Sequence, residues 1–355
     1  MRLPSLPQSL LPIVVASLQL AVPLSASAQI GVGLPPAPNF NQQLNIKPNS
    51  GTRGADRNDA DKLVILGGQR EAQGDLRGAI AAWEQAREIY WDINDMAAMG
   101  TVYDYIGLAY AQLGRFDEAE DALRRRLAVA RDNGDFRGQI YGLNNMGTIL
   151  LRRGGIAGAQ ETLEEALVIA RNVQSVEGEG LTLSNLGLTI AGSGNYARAI
   201  AFYEEAMRFR RQGEDIAGQT NTLNHLGRAY QMSRNYQAAM GAYGDALRLA
   251  RSTGDAANRY RAIDGLVAVY QATRNYGRAT DLLSERLSLA QTQQSPRQVL
   301  ETVLATAKLY EAAGNLPQTV NYYRQALELS RSLGDTETAG IMLYELNRLN
   351  NQAIR

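Results

Sequence analysis

The side chains in this chain that could do chemistry are mostly oxygen donors and amides. Cysteine is absent, and His225 is the only histidine. Thiol chemistry, disulfides and the usual Cys/His zinc site are therefore excluded. A single imidazole without a partner base or nucleophile reads as a hydrogen-bonding residue, and His225 is taken as one. Asp104, Asp264 and Glu301, supplemented by asparagine amides, are the groups that a hard cation such as Mn²⁺ or Ca²⁺ would use. They are scattered, and nothing gathers them at ligand spacing. The helices carry no nucleophile–base pair, phosphate loop or carboxylate dyad, so no enzyme and no cofactor is expected.

The elements that must position these groups follow from composition and period. The chain has 355 residues, with Lys+Arg and Asp+Glu both 36. That neutral balance argues against nucleic acid or an anionic membrane as partner, since each needs a basic surplus. At the N-terminus, Arg2, the apolar stretch from Leu10 to Leu24 and Ala26-Ser27-Ala28 read as a signal peptide over residues 1–28. The apolar run is too short and too interrupted by proline for a good membrane span, so stable insertion after cleavage is not expected. Residues 29–58 hold Pro35, Pro36, Pro38 and Pro48 among glycines and amides, which predicts a flexible linker. The exported chain is expected in the periplasm or outside the cell.

From residue 59 to 355 the sequence repeats every 40 residues in seven copies. Gly67, Gly107, Gly147, Gly187 and Gly227 are in register, followed twelve residues later by Ala79, Ala119, Ala159, Ala199 and Ala239. Leu143, Met146, Ile149 and Leu150 share one helical face, and Ala159, Leu163, Ala166, Leu167 and Ala170 share another beyond Gly154-Gly155. Each copy is thus a pair, helix A and helix B, and the fold class is an all-α solenoid.

Glycine in the turn (Gly74, Gly114, Gly154, Gly194, Gly314) suits a left-handed residue; where Arg234 or Arg274 replaces it, Asn235 or Asn275 is expected to take that role. Asp95, Asp135, Ser175, Asp215, Asp255, Ser295 and Asp335 precede each next helix as N-caps. Small residues let the pair cross closely, and Trp83, Tyr203, Tyr243 and Tyr323 read as core filling rather than a ligand cage. Fifteen helices are expected from about Ala60 onward. The last, from about Thr336 to Leu349, should cap the stack by packing Ile341, Leu343, Tyr344 and Leu346.

Leu186-Gly187, Ala199, Tyr203 and Ala206 resemble the tetratricopeptide signature. The 40-residue period, Asn185-Leu186-Gly187 and the Gly-Asp linkers at Gly134, Gly254 and Gly334 are similar to the long-repeat subclass of kinesin light chain and LGN-type scaffolds. The resemblance implies a right-handed α-solenoid of seven pairs plus a capping helix. With the signal peptide, it implies a periplasmic or secreted adaptor similar to bacterial assembly factors. The alternative is a protein that binds and delivers Mn²⁺ or Ca²⁺, including in photosystem II assembly.

In that family a protein or extended peptide lies in a groove lined by helix A. Carried over by register, the resemblance places Asp104, Asn144, Asn145, Thr148, Asn185, Asn224, His225, Arg228, Asp264 and Lys308 there, with Tyr141, Asn221, Arg261 and Glu301 one turn earlier. The middle of the groove is amide-rich, which suits a peptide backbone. The basic cluster of a carboxylate clamp is absent. Because these residues precede the core leucines, they are expected to lie outside the helix-pair interior, and alanine at Asn145, Asn185 and Asn224 should leave stability unchanged or raised.

Overall fold

Each helix A opens where a short side-chain oxygen can take up an orphan backbone N–H. In the computed structural model, which describes residues 54–353, Asp95, Asp135, Ser175, Asp215, Asp255, Ser295 and Asp335 each accept from the backbone N–H three residues on. Each such cap is worth about 1 kcal/mol. Inside the pairs, Gly74, Gly114, Gly154, Gly194 and Gly314 hold positive φ as expected. At the two exceptions the expectation fails: Arg234 (φ 60°) and Arg274 (φ 58°) adopt the left-handed conformation themselves. Asn275 instead occupies the N-cap position of the following helix. A non-glycine residue there costs about 1–2 kcal/mol, which the packed helices on either side impose.

The copies give α1 (Gly54–Ala72), α2 (Leu76–Asp92), α3 (Met96–Gln112), α4 (Phe116–Asp132), α5 (Phe136–Arg152), α6 (Ile156–Asn172), α7 (Val176–Gly192), α8 (Tyr196–Gln212) and α9 (Ile216–Met232). They continue as α10 (Tyr236–Thr253), α11 (Ala256–Ala272), α12 (Tyr276–Thr292), α13 (Pro296–Ala312), α14 (Leu316–Ser332) and α15 (Thr336–Ala353). Odd-numbered helices are A and even-numbered ones are B. Among the described residues there are fifteen helices and no strand, in keeping with the all-α solenoid expected. Helix α1 starts at Gly54, inside the stretch read as linker, and α15 runs past Leu349. Residues 1–28, read as a signal peptide, and residues 29–53 of the expected linker lie outside the described residues. No described helix is long and apolar enough to cross a membrane.

The described residues fall into two compact units, one ending at Asn235 and the other beginning at Tyr236. In the first, each helix packs on the next, and the A helices also pack on one another: α3 on α5, α5 on α7, α7 on α9. The B helices are bridged by long side chains instead, with Arg131 reaching Glu165 at 2.8 Å and Arg171 reaching Glu205 at 3.2 Å. The A layer is therefore the tighter, inner side of this unit.

The glycine register explains how closely a pair approaches. A Cβ on Gly187 would fall 2.6 Å from the Tyr203 ring, and one on Gly147 the same distance from Leu163. Trp83, Tyr203, Tyr243 and Tyr323 are buried, as core filling requires.

In the second unit, α10 to α15 pack consecutively. The last helix departs from expectation. Ala339, Met342, Leu346 and Leu349 carry its packing against α13 and α14, whereas Ile341, Leu343 and Tyr344 are exposed, the last at 68%. The reason is register. Position 343 continues the series Leu143, Leu183, Leu223, Ile263 and Val303, all buried in their own copies. Helix α15 thus repeats the helix A pattern, but no helix B follows it among the described residues.

Candidate functional site

The inner face of the first unit is built from the register that precedes the Leu-Gly pair. Those side chains meet across consecutive A helices and form rungs. Between α3 and α5, Asn145 Nδ2 donates to Asp104 Oδ1 at 2.9 Å, and Asp104 Oδ2 accepts from Arg126 Nε on α4, also at 2.9 Å. Between α5 and α7, Asn144 Nδ2 donates to Thr182 Oγ1, and its Oδ1 accepts from Asn185 Nδ2, both at 2.8 Å. Between α7 and α9, Ser184 and Thr222 share a hydrogen bond of 2.9 Å.

This corrects the reading of the amides as groove residues outside the interior. Asn144 is 1% exposed and Asn145 5%, and Asp104, Asn224 and Tyr141 are also buried. Close contact between A helices shields their facing sides from bulk solvent, so a polar group there needs a partner, which Asn144 and Asn145 find in a neighbouring copy. Tyr141 donates to Glu177 on α7, and Arg137 lies over its ring at 5.5 Å. Burial first, then the bond to Glu177, pushes its hydroxyl pKa up. The Tyr105 hydroxyl beside Asp104 is pushed up to about 12, chiefly by burial and then by that carboxylate.

Arg126 was missed by sequence reasoning, yet the signal is present. Helix B repeats Ala86, Ala166, Ala206, Ala246 and Ala326 in one register, and Arg126 and Arg286 interrupt it. Twenty-two residues before each stands an aspartate, Asp104 or Asp264. Glycines make the room: a Cβ on Gly100 or Gly138 would fall 2.7 or 2.1 Å from the Arg126 guanidinium. In the second unit Arg286 donates to Asp264 at 2.7 Å and lies 3.5 Å from Glu301.

These pairings bear on the metal alternative. Asp104 is committed to Arg126 and Asn145, and Asp264 and Glu301 share Arg286. Among the described residues no group of three or more His, Asp or Glu side chains is placed to hold a metal ion.

What remains accessible on the inner face of the first unit is a second line of residues. Thr148, Asn185, Asn221, His225 and Arg228 are half-buried. His225 stacks on the Tyr203 ring at 5.9 Å, as Tyr105 stacks on Trp83 at 5.3 Å three copies earlier. In the second unit Arg261 is half-buried and donates to Asn258 at 3.1 Å, while Asp264, Glu301 and Lys308 are exposed.

Helix pairs with this glycine–alanine register, stacked through their A helices, match known repeats. Residues 139–212 and 179–252 match one tetratricopeptide repeat model, and residues 105–135 match a second. The chain carries tetratricopeptide repeats. Among solved structures it is similar to a signal-transduction ATPase with a tetratricopeptide repeat sensor from Pyrococcus horikoshii. The two share 17% identity at a TM-score of 0.60, over 80% of this chain and 44% of that one, so this chain spans under half of that protein. Aspartyl phosphate phosphatase F from Bacillus subtilis aligns at 12% identity and a TM-score of 0.57, over 76% of this chain and 70% of that one. A Rap protein complexed with Competence and Sporulation Factor aligns at 12% identity and a TM-score of 0.51, over 83% of this chain and 98% of that one. At these identities the likeness is one of fold. A search of curated protein sequences returns no match.

Proposed function

We propose that this chain is an exported adaptor that holds an extended segment of a partner protein on the inner, helix A face of its first unit. The observation that carries the reading is the division of labour on that face. Asn144, Asn145, Asp104 and Ser184 fasten neighbouring copies together, which leaves Thr148, Leu188, His225 and Arg228, with the outer side of Asn185, half-buried at the surface of a hydrogen-bonded floor. A partner meeting such a floor need not order it, so little affinity is lost to conformational entropy. The Rap protein solved with Competence and Sporulation Factor is consistent with this use of the fold. Export rests on Arg2, the apolar stretch after it and Ala26-Ser27-Ala28. A role as an assembly factor in the periplasm is the finer part of this proposal.

The test is affinity capture from periplasmic extract, followed by titration of the captured partner. Leu188→Arg, on the inner face, should abolish binding, and Val168→Arg, on exposed helix B surface, should leave it unchanged. Loss with Val168→Arg alone would move the site to the outer face. N-terminal sequencing of the exported chain should begin near Gln29; an uncleaved N-terminus would refute the signal reading.

A further inference from the structure

One register of the inner face runs across four consecutive A helices of the first unit as Leu108, Thr148, Leu188 and Arg228. The first is buried and the other three are half-buried. Thr148 gives its hydroxyl to the Asn144 carbonyl of its own helix at 2.9 Å. It therefore presents chiefly its methyl group, and the row reads as three largely apolar positions ending in a guanidinium.

Two carboxylates of this face are already paired. The Asp104 carboxylate is held by Arg126 and Asn145, and Glu177 accepts from Tyr141 and lies 3.5 Å from Arg137. Arg228 has no carboxylate within ion-pair distance among the described residues. It sits near the buried Tyr203, where its charge opposes the burial that pushes that hydroxyl up. A guanidinium has five N–H donors in a planar fork that matches a carboxylate. The face thus ends in a cation that no carboxylate among the described residues pairs with.

Spacing adds the second element. Packed helices lie about 8–10 Å apart, and an extended chain in the polyproline II conformation advances about 3.1 Å per residue with three residues per turn, which returns every third side chain to the same side. A peptide crossing the A helices therefore meets the next position of the row about every third residue. We propose that the inner face selects an extended segment with an acidic side chain three residues from an apolar one, the carboxylate on Arg228 and the apolar group on Leu188. This rests on the peptide-binding reading above and names the class of sequence it takes.

The test is selection of a random-peptide display library on the full chain, alongside Arg228→Glu and Leu188→Arg variants checked for unchanged helicity and melting. Selected peptides should carry Asp or Glu three residues from an apolar side chain. On Arg228→Glu that position should turn to Lys or Arg. A selected acidic peptide, titrated individually, should bind Arg228→Gln at least tenfold more weakly. Peptides that are enriched without an acidic preference, or whose preference survives in Arg228→Glu, would overturn the inference. The adaptor reading would then stand if Leu188→Arg still abolished their binding. If no peptide is enriched on the wild-type chain, the adaptor reading fails and this inference with it.

Discussion

Arg126 on α4 donates from Nε to Asp104 on α3, and four copies later Arg286 on α12 makes the same bond to Asp264 on α11. The two pairs differ in burial. Asp104 is almost fully enclosed, whereas Asp264 is half exposed. Truncating one partner of a buried pair leaves an uncompensated charge, at a cost of about 3–5 kcal/mol. Arg126→Ala should therefore destabilise the first unit by about that amount in urea titration. Arg286→Ala should cost the second unit less, because water can solvate Asp264. The double variant Asp104→Asn/Arg126→Ala should recover part of the loss. Equal effects at the two sites would contradict the burial argument.

Asn145→Ala should also destabilise. It strips the buried Asp104 of one of its two hydrogen-bonding partners, at a cost of about 1–3 kcal/mol. The gain in helix propensity is a few tenths of a kcal/mol and does not offset this. Asn185→Ala should cost less, since Asn185 is half-buried. Thermal melts of the two single variants check the order, and a neutral Asn145→Ala would refute the rung.

At the C-terminal end, removing α15 should expose Val299, Leu300 and Val303 and lower the melting temperature and solubility of the second unit. Tyr344→Ser, by contrast, should change stability by no more than about 0.5 kcal/mol, since the ring is exposed. Differential scanning calorimetry of both variants separates the two sides of this helix.

Glu285 gives a pH dependence. Its burial alone would raise its pKa, but hydrogen bonds from Arg251 and Arg259 outweigh that and hold the carboxyl below its ordinary value. A folded pKa below the unfolded one means the stabilisation is present above the unfolded value and is lost as pH falls through the folded one. Glu285→Gln should therefore be less stable than the wild type at pH 7, and the gap should narrow as pH falls below the ordinary glutamate range. A gap independent of pH would show that the ion pairs are not its source.

Much of the fold was legible because the period is local information repeated. The caps at Asp135 or Ser175, the glycines that admit Leu163 and Tyr203, and the aromatic core positions each follow from a residue type recurring at fixed spacing. The inner face was less legible, since a helix pattern states which side is polar but not how closely the next copy approaches. Asn144 and Asn145 look alike to a solvated amide in sequence; only contact between α3, α5 and α7 buries them. The arginine pairs lay between the two cases. Arg126 and Arg286 break an alanine series in step with Asp104 and Asp264, a covariation within one chain that needed the series to be followed on helix B. At α15 the register was readable, but the side left bare depends on which helix covers it.

The central claim is that a partner lies on the helix A face of the first unit. Site-specific photo-crosslinking in the native host tests it most directly, with a photoreactive amino acid placed in turn at Leu188 on the inner face and at Val168 on exposed helix B surface. The account predicts a discrete crosslinked polypeptide from position 188 that disappears when Arg228→Glu is added, and none from position 168. A crosslink from position 168 with none from position 188 would contradict it.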